Sequence, residues 1–140
     1  MPTPPDPAPE PTPSAALRIL VVDDNRDAAE ALAMLLEMFG HEVRSCFDGE
    51  AAVQAAREWA PGLVLLDLTL PGMDGCEAAR RIAADAGAQR APWLVALSGH
   101  AGAEERERTR QAGFRQHLVK PVPIEVLTAV VEQAVRWRAA

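Results

Sequence analysis

The residues of this chain that could do chemistry stand directly after short, mostly apolar runs. Asp23 and Asp24 follow LRILVV, and Asp67 follows LVLL at the start of DLTLPGMDG. Ser98 follows PWLVAL, and Lys120 follows QHLV. A carboxylate beside a buried strand is costly unless it is paired or ligates a cation. The aspartates therefore need partners from other parts of the chain.

Alternating strands and helices would bring these residues together. The five strand-like runs are LRILVV (17–22), EVRSC (42–46), LVLL (63–66), PWLVAL (92–97) and QHLV (116–119). A helical pattern follows each of them. The second, third and fourth helices are an Ala-rich segment over 49–59, a helix capped by Asp74 and a charged helix over 102–112. The first and last helices have apolar faces, which are Ala28, Leu32, Leu35, Leu36 and Phe39 in the first and Val126, Leu127, Val130, Val131 and Ala134 in the last. Strands this apolar are covered on both faces, which predicts an α/β fold with a doubly wound parallel sheet between two helix layers. In such a sheet the carboxyl ends of all strands share one edge, where ligands bind.

Three carboxylates at one edge repel one another and favour a bound cation. Lys120 supplies one positive charge, and an all-oxygen site without His or Cys suits Mg²⁺ or Mn²⁺. A carboxylate in such a site can attack phosphorus and form an acyl phosphate. The metal and Lys120 would then neutralise the transferring group, and the Ser98 hydroxyl would donate a hydrogen bond to it.

Composition narrows the class of protein. The 140 residues are 49% hydrophobic, which suits one globular domain, and the formal net charge of −6 argues against nucleic acid as the main partner. The sequence shows neither a bilayer-spanning apolar stretch nor a signal peptide, so we expect a cytoplasmic protein without membrane association. The first sixteen residues hold seven of the twelve prolines and predict a disordered tail, with the folded domain over 17–140. The two cysteines, Cys46 and Cys76, are expected to be free thiols.

From about Leu17 to Arg138 the chain resembles the receiver domain of bacterial two-component response regulators. The resemblance rests on VVDDN, LLDLTLPGMDG, ALSG and LVKPV, in this order at the ends of strands 1, 3, 4 and 5. It implies a flavodoxin-like five-stranded sheet in the order 2-1-3-4-5. It also implies a phosphoacceptor switch rather than an enzyme, phosphorylated by a histidine kinase or a histidine phosphotransfer protein.

The family's roles carry over by position. The resemblance implies that Asp67 accepts the phosphoryl group and also contacts Mg²⁺, which Asp23, Asp24 and the Thr69 backbone carbonyl would hold. Ser98 and Lys120 would contact the phosphoryl group, and the Lys120–Pro121 peptide would be cis. A downstream protein would bind the face formed by the fourth helix, fifth strand and fifth helix.

One departure concerns the switch. The family usually has Tyr or Phe three residues before the lysine, and its rotamer couples to the hydroxyl residue, whereas this chain has His117. A histidine could turn in the same way or make the response pH-sensitive. Thr69 and His100 occupy the positions that tune acyl-phosphate lifetime in the family.

Several alternatives stay open. Asp24 could be only a helix cap, with Asn25 as the other candidate. A Mg²⁺-dependent aspartyl-phosphate phosphatase or phosphotransferase would need a second Asp where Thr69 stands, and a flavin-binding module would need a phosphate-binding loop where Asp23 and Asp24 stand. Because the sequence ends at its last helix, we expect no output domain. The chain is then either a stand-alone response regulator or phosphorelay receiver, or a receiver excised from a hybrid sensor kinase.

Overall fold

The computed structural model describes residues 16–87, 91–99 and 102–139. In chain order the elements are β1 (Arg18–Val22), α1 (Arg26–Met38), β2 (Glu42–Cys46), α2 (Gly49–Trp59), β3 (Leu63–Asp67), α3 (Gly75–Ala86), β4 (Trp93–Ser98), α4 (Ala103–Ala112), β5 (Gln116–Val119) and α5 (Ile124–Ala139). The strands form one parallel sheet in the order β2-β1-β3-β4-β5. The α/β class and the strand order are therefore confirmed.

Helices cover both faces of the sheet. On one face, α1 and α5 bury Leu36, Leu127 and Val130 against β1, β3 and β4. On the other, α2 and α3 contribute Val53 and Ile82 to a second core. The three central strands are almost wholly buried, whereas β2 and β5 are partly exposed because each has a neighbour on one side only. The expectation that the strands are covered on both faces therefore holds fully for the central strands and in part for the two edge strands.

Three residues of the predicted apolar helix faces are exposed. They are Ala28, Phe39 and Val126. Helix α1 instead buries Ala29, Ala33 and Leu36. The stripe that faces the sheet is therefore narrower than the apolar pattern, and it is rotated away from Ala28.

Two cap predictions are resolved by the turns that follow β1 and β3. The Asn25 side chain accepts a hydrogen bond from the Ala28 amide and caps α1, so Asp24 is not the cap. Asp74 caps α3 as predicted, by accepting from the Cys76 amide at 2.9 Å. Asp24 is thus available for another role.

Several expectations concern the rest of the chain. Cys46 and Cys76 are free thiols as predicted, and burial raises the pKa of both. Among the described residues, no helix combines the length and the apolar character needed to cross a bilayer. The proline-rich segment (except Ala16) and His100 lie outside the described residues, so the expected tail and the domain limits stay predictions.

Candidate functional site

Strand register brings two of the aspartates side by side. Val22 of β1 pairs with Leu66 of β3, so Asp23 and Asp67, one residue later on each strand, lie at the same level of the sheet. Asp67 is 3% exposed and Asp23 is 6% exposed, whereas Asp24 is exposed. Carboxylate oxygens of the three residues lie within 4.8 Å of one another. The carboxyl edge of the sheet thus holds a compact acidic group.

Lys120 joins the two buried carboxylates from the far side of β4. Its Nζ donates to Asp67 Oδ2 at 2.8 Å and to Asp23 Oδ2 at 3.1 Å. Neighbouring strands are about 4.8 Å apart, so a residue after β5 needs a long side chain to reach β3 and β1. Partial burial alone would lower the pKa of Lys120, but its hydrogen bonds and charge contacts with Asp67 and Asp23 raise it above the usual value. The ammonium group is therefore held in its charged form.

The backbone around Lys120 is fixed as well. Its amide donates to the Ser98 carbonyl at 2.7 Å, which continues the pairing of β4 and β5 by one residue. The Lys120–Pro121 peptide is cis, as the resemblance implied. The amide hydrogen bond to Ser98 fixes where Lys120 lies at the end of β5.

Backbone amides complete the partners of the buried carboxylates. Asp67 Oδ1 accepts from the Thr69 amide at 2.9 Å and from the Thr69 hydroxyl at 3.2 Å. Asp23 Oδ1 accepts from the Asn25 amide at 3.0 Å. In both residues one oxygen faces a local turn and the other faces Lys120, so each carboxylate is held at both oxygens.

A glycine allows α3 to begin close to the strand end that carries Asp67. A Cβ atom at Gly75 would lie 2.9 Å from Leu66 Cδ2, 2.9 Å from Leu68 Cα and 3.0 Å from the Asp67 carbonyl oxygen. Separations under about 3 Å require something to move, and two of these atoms belong to the backbone. Gly75 therefore fixes how closely α3 approaches Asp67.

Ser98 and His117 form a second polar group at the same edge. Ser98 ends β4 and is 5% exposed, and its Oγ lies 2.7 Å from His117 Nε2. The other ring nitrogen, Nδ1, lies 3.2 Å from the hydroxyl oxygen of Thr109 in α4. The hydroxyl at the end of β4 is thus connected to α4 through β5.

The donor set fits an oxygen-preferring divalent cation. Three carboxylates face one ammonium group, so the site keeps an excess of negative charge. No His or Cys belongs to this group within the part of the chain described, and hard cations such as Mg²⁺ prefer oxygen ligands. The residues present therefore suit the metal that the sequence suggested.

The structure brings the predicted site residues to one edge. Asp23, Asp24, Asp67 and Lys120 form one group there, Thr69 binds Asp67, and Ser98 and His117 lie next to each other on the neighbouring strands. Sequence reasoning missed the positioning residues Thr109 and Gly75. Thr109 carries a weak signal, because it is an uncharged residue within the highly charged helix AEERERTRQA.

Comparison with known proteins identifies the family. Residues 19–132 match the family model of the response regulator receiver domain. This match covers most of the chain, so the protein belongs to the receiver domains of two-component signalling systems.

Two relatives show that such chains occur in proteins of different length. The chain is 40% identical over 124 residues to the sensor protein GacS of Pseudomonas syringae pv. syringae, covering 86% of this chain and 14% of that protein. It is 33% identical over 114 residues to protein PilH of Pseudomonas aeruginosa, covering 81% of this chain and 93% of PilH. The chain thus spans a small part of one relative and nearly all of the other.

A solved structure of similar fold contains a metal. The receiver domain of the sensor histidine kinase PA1611 from Pseudomonas aeruginosa PAO1 is 30% identical, with a TM-score of 0.77. The match covers 86% of this chain and 98% of that one. That crystal structure holds a magnesium ion coordinated in its active-site cleft.

Proposed function

We propose that this receiver domain takes a phosphoryl group from a phosphohistidine onto Asp67. The observation that carries the proposal is the position of Asp67, a nearly buried carboxylate beside two other acids and a charged lysine. A purely structural carboxylate would not need two further acids at its side, because these increase the repulsion that must be offset. The donor would be a histidine kinase or a histidine phosphotransfer protein.

The reaction is a transfer between two side chains. One oxygen of the Asp67 carboxylate forms a bond to phosphorus while the bond from phosphorus to the donor imidazole nitrogen breaks. The imidazole takes a proton as it leaves, and Asp67 becomes an acyl phosphate. The product keeps its negative charge near the carboxylates, so Lys120 is placed to move from Asp67 to the new oxygens.

A divalent cation would be held by Asp23, Asp24, Asp67 and the backbone carbonyl of Thr69. When bound, Mg²⁺ would supply positive charge that offsets the repulsion between these acids and the phosphoryl oxygens. The need for it follows from the surplus of carboxylates over lysine at the edge.

Phosphorylation would be transmitted through Ser98 to the face formed by α4, β5 and α5. Ser98 would turn its hydroxyl toward the phosphoryl oxygens and disturb its contact with His117. Helix α4 is weakly held, since its buried residues are Thr109 and Ala112. Val119 and Val126 are exposed apolar residues on this side, which suits a protein target. The change would be a shift between populated states rather than refolding.

Both relatives described above are compatible with this role. The match to a small part of the sensor protein GacS is compatible with a receiver within a hybrid kinase, and the match to nearly all of PilH is compatible with a stand-alone receiver. We infer a phosphoacceptor switch in either case, one that assists only its own phosphorylation and dephosphorylation. A cytoplasmic location and the absence of nucleic-acid and membrane partners remain predictions.

Labelling with a small phosphodonor tests the proposal. We expect the chain, incubated with acetyl phosphate and Mg²⁺, to gain the mass of one phosphoryl group by intact mass spectrometry. The adduct should survive acid and be lost in alkali or hydroxylamine, as an acyl phosphate is. Removing Mg²⁺ with a chelator should abolish it.

Two substitutions of the same kind provide the comparison. Asp67→Asn should not be labelled, whereas Asp74→Asn, at the nearby helix cap, should be labelled like the wild type. A wild-type chain that stays unlabelled with several donors and excess Mg²⁺ would show that the phosphoacceptor role is wrong.

A further inference from the structure

A chain of hydrogen bonds leads from the acidic edge into α4. Ser98 Oγ lies 2.7 Å from His117 Nε2, and His117 Nδ1 lies 3.2 Å from Thr109 Oγ1. Thr109 is 2% exposed, and its hydroxyl lies 2.9 Å from the backbone carbonyl oxygen of Arg106. The contacts join β4, β5 and α4 through one imidazole ring.

The donors and acceptors in this chain can be assigned in order. A carbonyl oxygen only accepts, so the Thr109 hydroxyl donates its single proton to Arg106. Thr109 Oγ1 then accepts from His117, which places the imidazole proton on Nδ1. A neutral imidazole has one N–H group, so Nε2 is an acceptor and the Ser98 hydroxyl donates to it.

We propose that His117 is a positioning residue, which holds the Ser98 hydroxyl proton while the imidazole is neutral and releases it when the imidazole is protonated. This inference rests on the proposed function, because it is the phosphoryl group on Asp67 that requires the Ser98 proton. An imidazolium donates at both nitrogens, so Nε2 would donate to Ser98 Oγ. The hydroxyl proton of Ser98 would then be available to a phosphoryl oxygen.

The charged groups around His117 influence whether its ring takes up a proton. Arg106 and Arg110 of α4 and Arg115 ahead of β5 line the same depression as the imidazole. Lys120, three residues further on, is bound to the buried aspartates. The arginines oppose an added positive charge on the ring, whereas a phosphoryl group favours it.

Side chains of other described elements also lie near this ring. Glu105 of α4 lines an adjacent depression together with Ser98 and Thr109. Helix α5 faces β5 through the neutral Gln133, which accepts from Gln116 at 2.7 Å. Because a phosphoryl group on Asp67 adds negative charge at this edge, phosphorylation and proton uptake by His117 would favour each other.

The tautomer of His117 can be measured without phosphorylation. In ¹⁵N-labelled protein at neutral pH, long-range ¹H–¹⁵N correlation spectra should show a protonated Nδ1 and an unprotonated Nε2. The assigned hydrogen-bond direction is wrong if the neutral ring carries its proton on Nε2. Thr109→Val should reduce the preference for Nδ1, since it removes the acceptor.

Affinity for fluoroberyllate, an acyl-phosphate mimic, tests the release of the proton. We compare wild type, His117→Gln and His117→Phe at pH 6 and pH 8 with saturating Mg²⁺. Glutamine keeps an acceptor that does not titrate, and phenylalanine removes the acceptor. Lowering the pH from 8 to 6 should change the affinity of each protein by some factor. We expect this factor to be about five times larger for the wild type than for either variant, which is the size expected of one hydrogen bond. At pH 8 His117→Phe should bind about fivefold more tightly than the wild type.

The outcomes separate the two proposals. Binding by all three proteins with the same pH dependence would overturn the role of His117 and leave the phosphoacceptor role intact. If none of the three proteins binds fluoroberyllate while circular dichroism shows an intact fold, both the proposed function and the role of His117 are wrong.

Discussion

Two sets of charged side chains in this protein make contacts of similar length in different surroundings. At the carboxyl edge of the sheet, Lys120 Nζ lies 2.8 Å and 3.1 Å from two carboxylates whose side chains are 5% and 9% exposed. On α4, Arg110 Nη2 lies 2.6 Å from Glu107 Oε1, and both side chains are mostly exposed. The shorter contact is the one in water.

The comparison shows that distance alone does not measure what an ion pair contributes. Water solvates Glu107 and Arg110 whether or not they meet, and dissolved salt screens their attraction. Asp67 and Asp23 have lost that water, so they depend on Lys120 and on the turn amides. Chemistry that needs a positively charged group in a fixed position is therefore expected at the sheet edge and not on α4.

Replacing Lys120 with methionine gives the largest expected effect. Methionine keeps most of the length of the side chain but leaves two buried carboxylates without their cation. We expect the free energy of unfolding to fall by about 2 kcal/mol, less than for a fully buried pair because Lys120 is 36% exposed. Urea denaturation checks this, and added Mg²⁺ should restore part of the loss because it can replace the missing charge.

The stabilisation from Lys120 should depend on alkaline pH in a defined direction. Its pKa is raised in the folded protein, so its contribution is fully present below the pKa of an unfolded lysine, about 10.4. The contribution is lost as the pH rises through the higher folded pKa. The stability difference between wild type and Lys120→Met should thus stay constant from pH 7 to about 10 and shrink above it. A difference that already shrinks between pH 7 and 9 would contradict the assigned contacts.

Gly75→Ala tests whether close packing positions Asp67. The added methyl group would meet the Leu66 side chain, the Asp67 carbonyl oxygen and Leu68 Cα, so we expect a loss of about 1.5 kcal/mol in urea denaturation. Gly99→Ala is the matched control, because a Cβ at Gly99 would have no atom of the described residues within 4 Å. Equal effects of the two substitutions would show that the approach of α3 is not tightly fixed.

Glu107→Gln gives the smallest expected effect. It removes the negative charge that faces Arg110 on the surface of α4, and we expect no measurable change in the urea midpoint at 0.15 M salt. A loss comparable to that of Lys120→Met would remove the contrast between the two regions.

Much of the fold could be predicted, because the spacing of apolar residues along the sequence indicates which side of each strand or helix is buried. The strands EVRSC and QHLV have the predicted bounds, as does the helix over 49–59. Strand order came from resemblance, since apolar periodicity does not state which strands are neighbours. The exposed Phe39 and Val126 could not be recognised in advance, because an apolar residue at the border of a helix face can point either way.

The acidic group was predictable for a simple reason. Parallel strands place their carboxyl ends together, so Asp23, Asp67 and Lys120 had to share an edge. The resemblance linked His117 to Ser98, but the contact of His117 with Thr109 was not predictable, because it depends on how α4 lies against β5 and on the side-chain rotamers.

The most direct test of the account locates the phosphoryl group itself. The labelled protein is reduced with borohydride, which converts an aspartyl phosphate to homoserine, and its peptides are sequenced by mass spectrometry. We predict homoserine at position 67 and unchanged aspartate at positions 23, 24 and 74. A labelled protein in which Asp67 remains aspartate and another residue is converted would contradict the assignment of Asp67 as the acceptor.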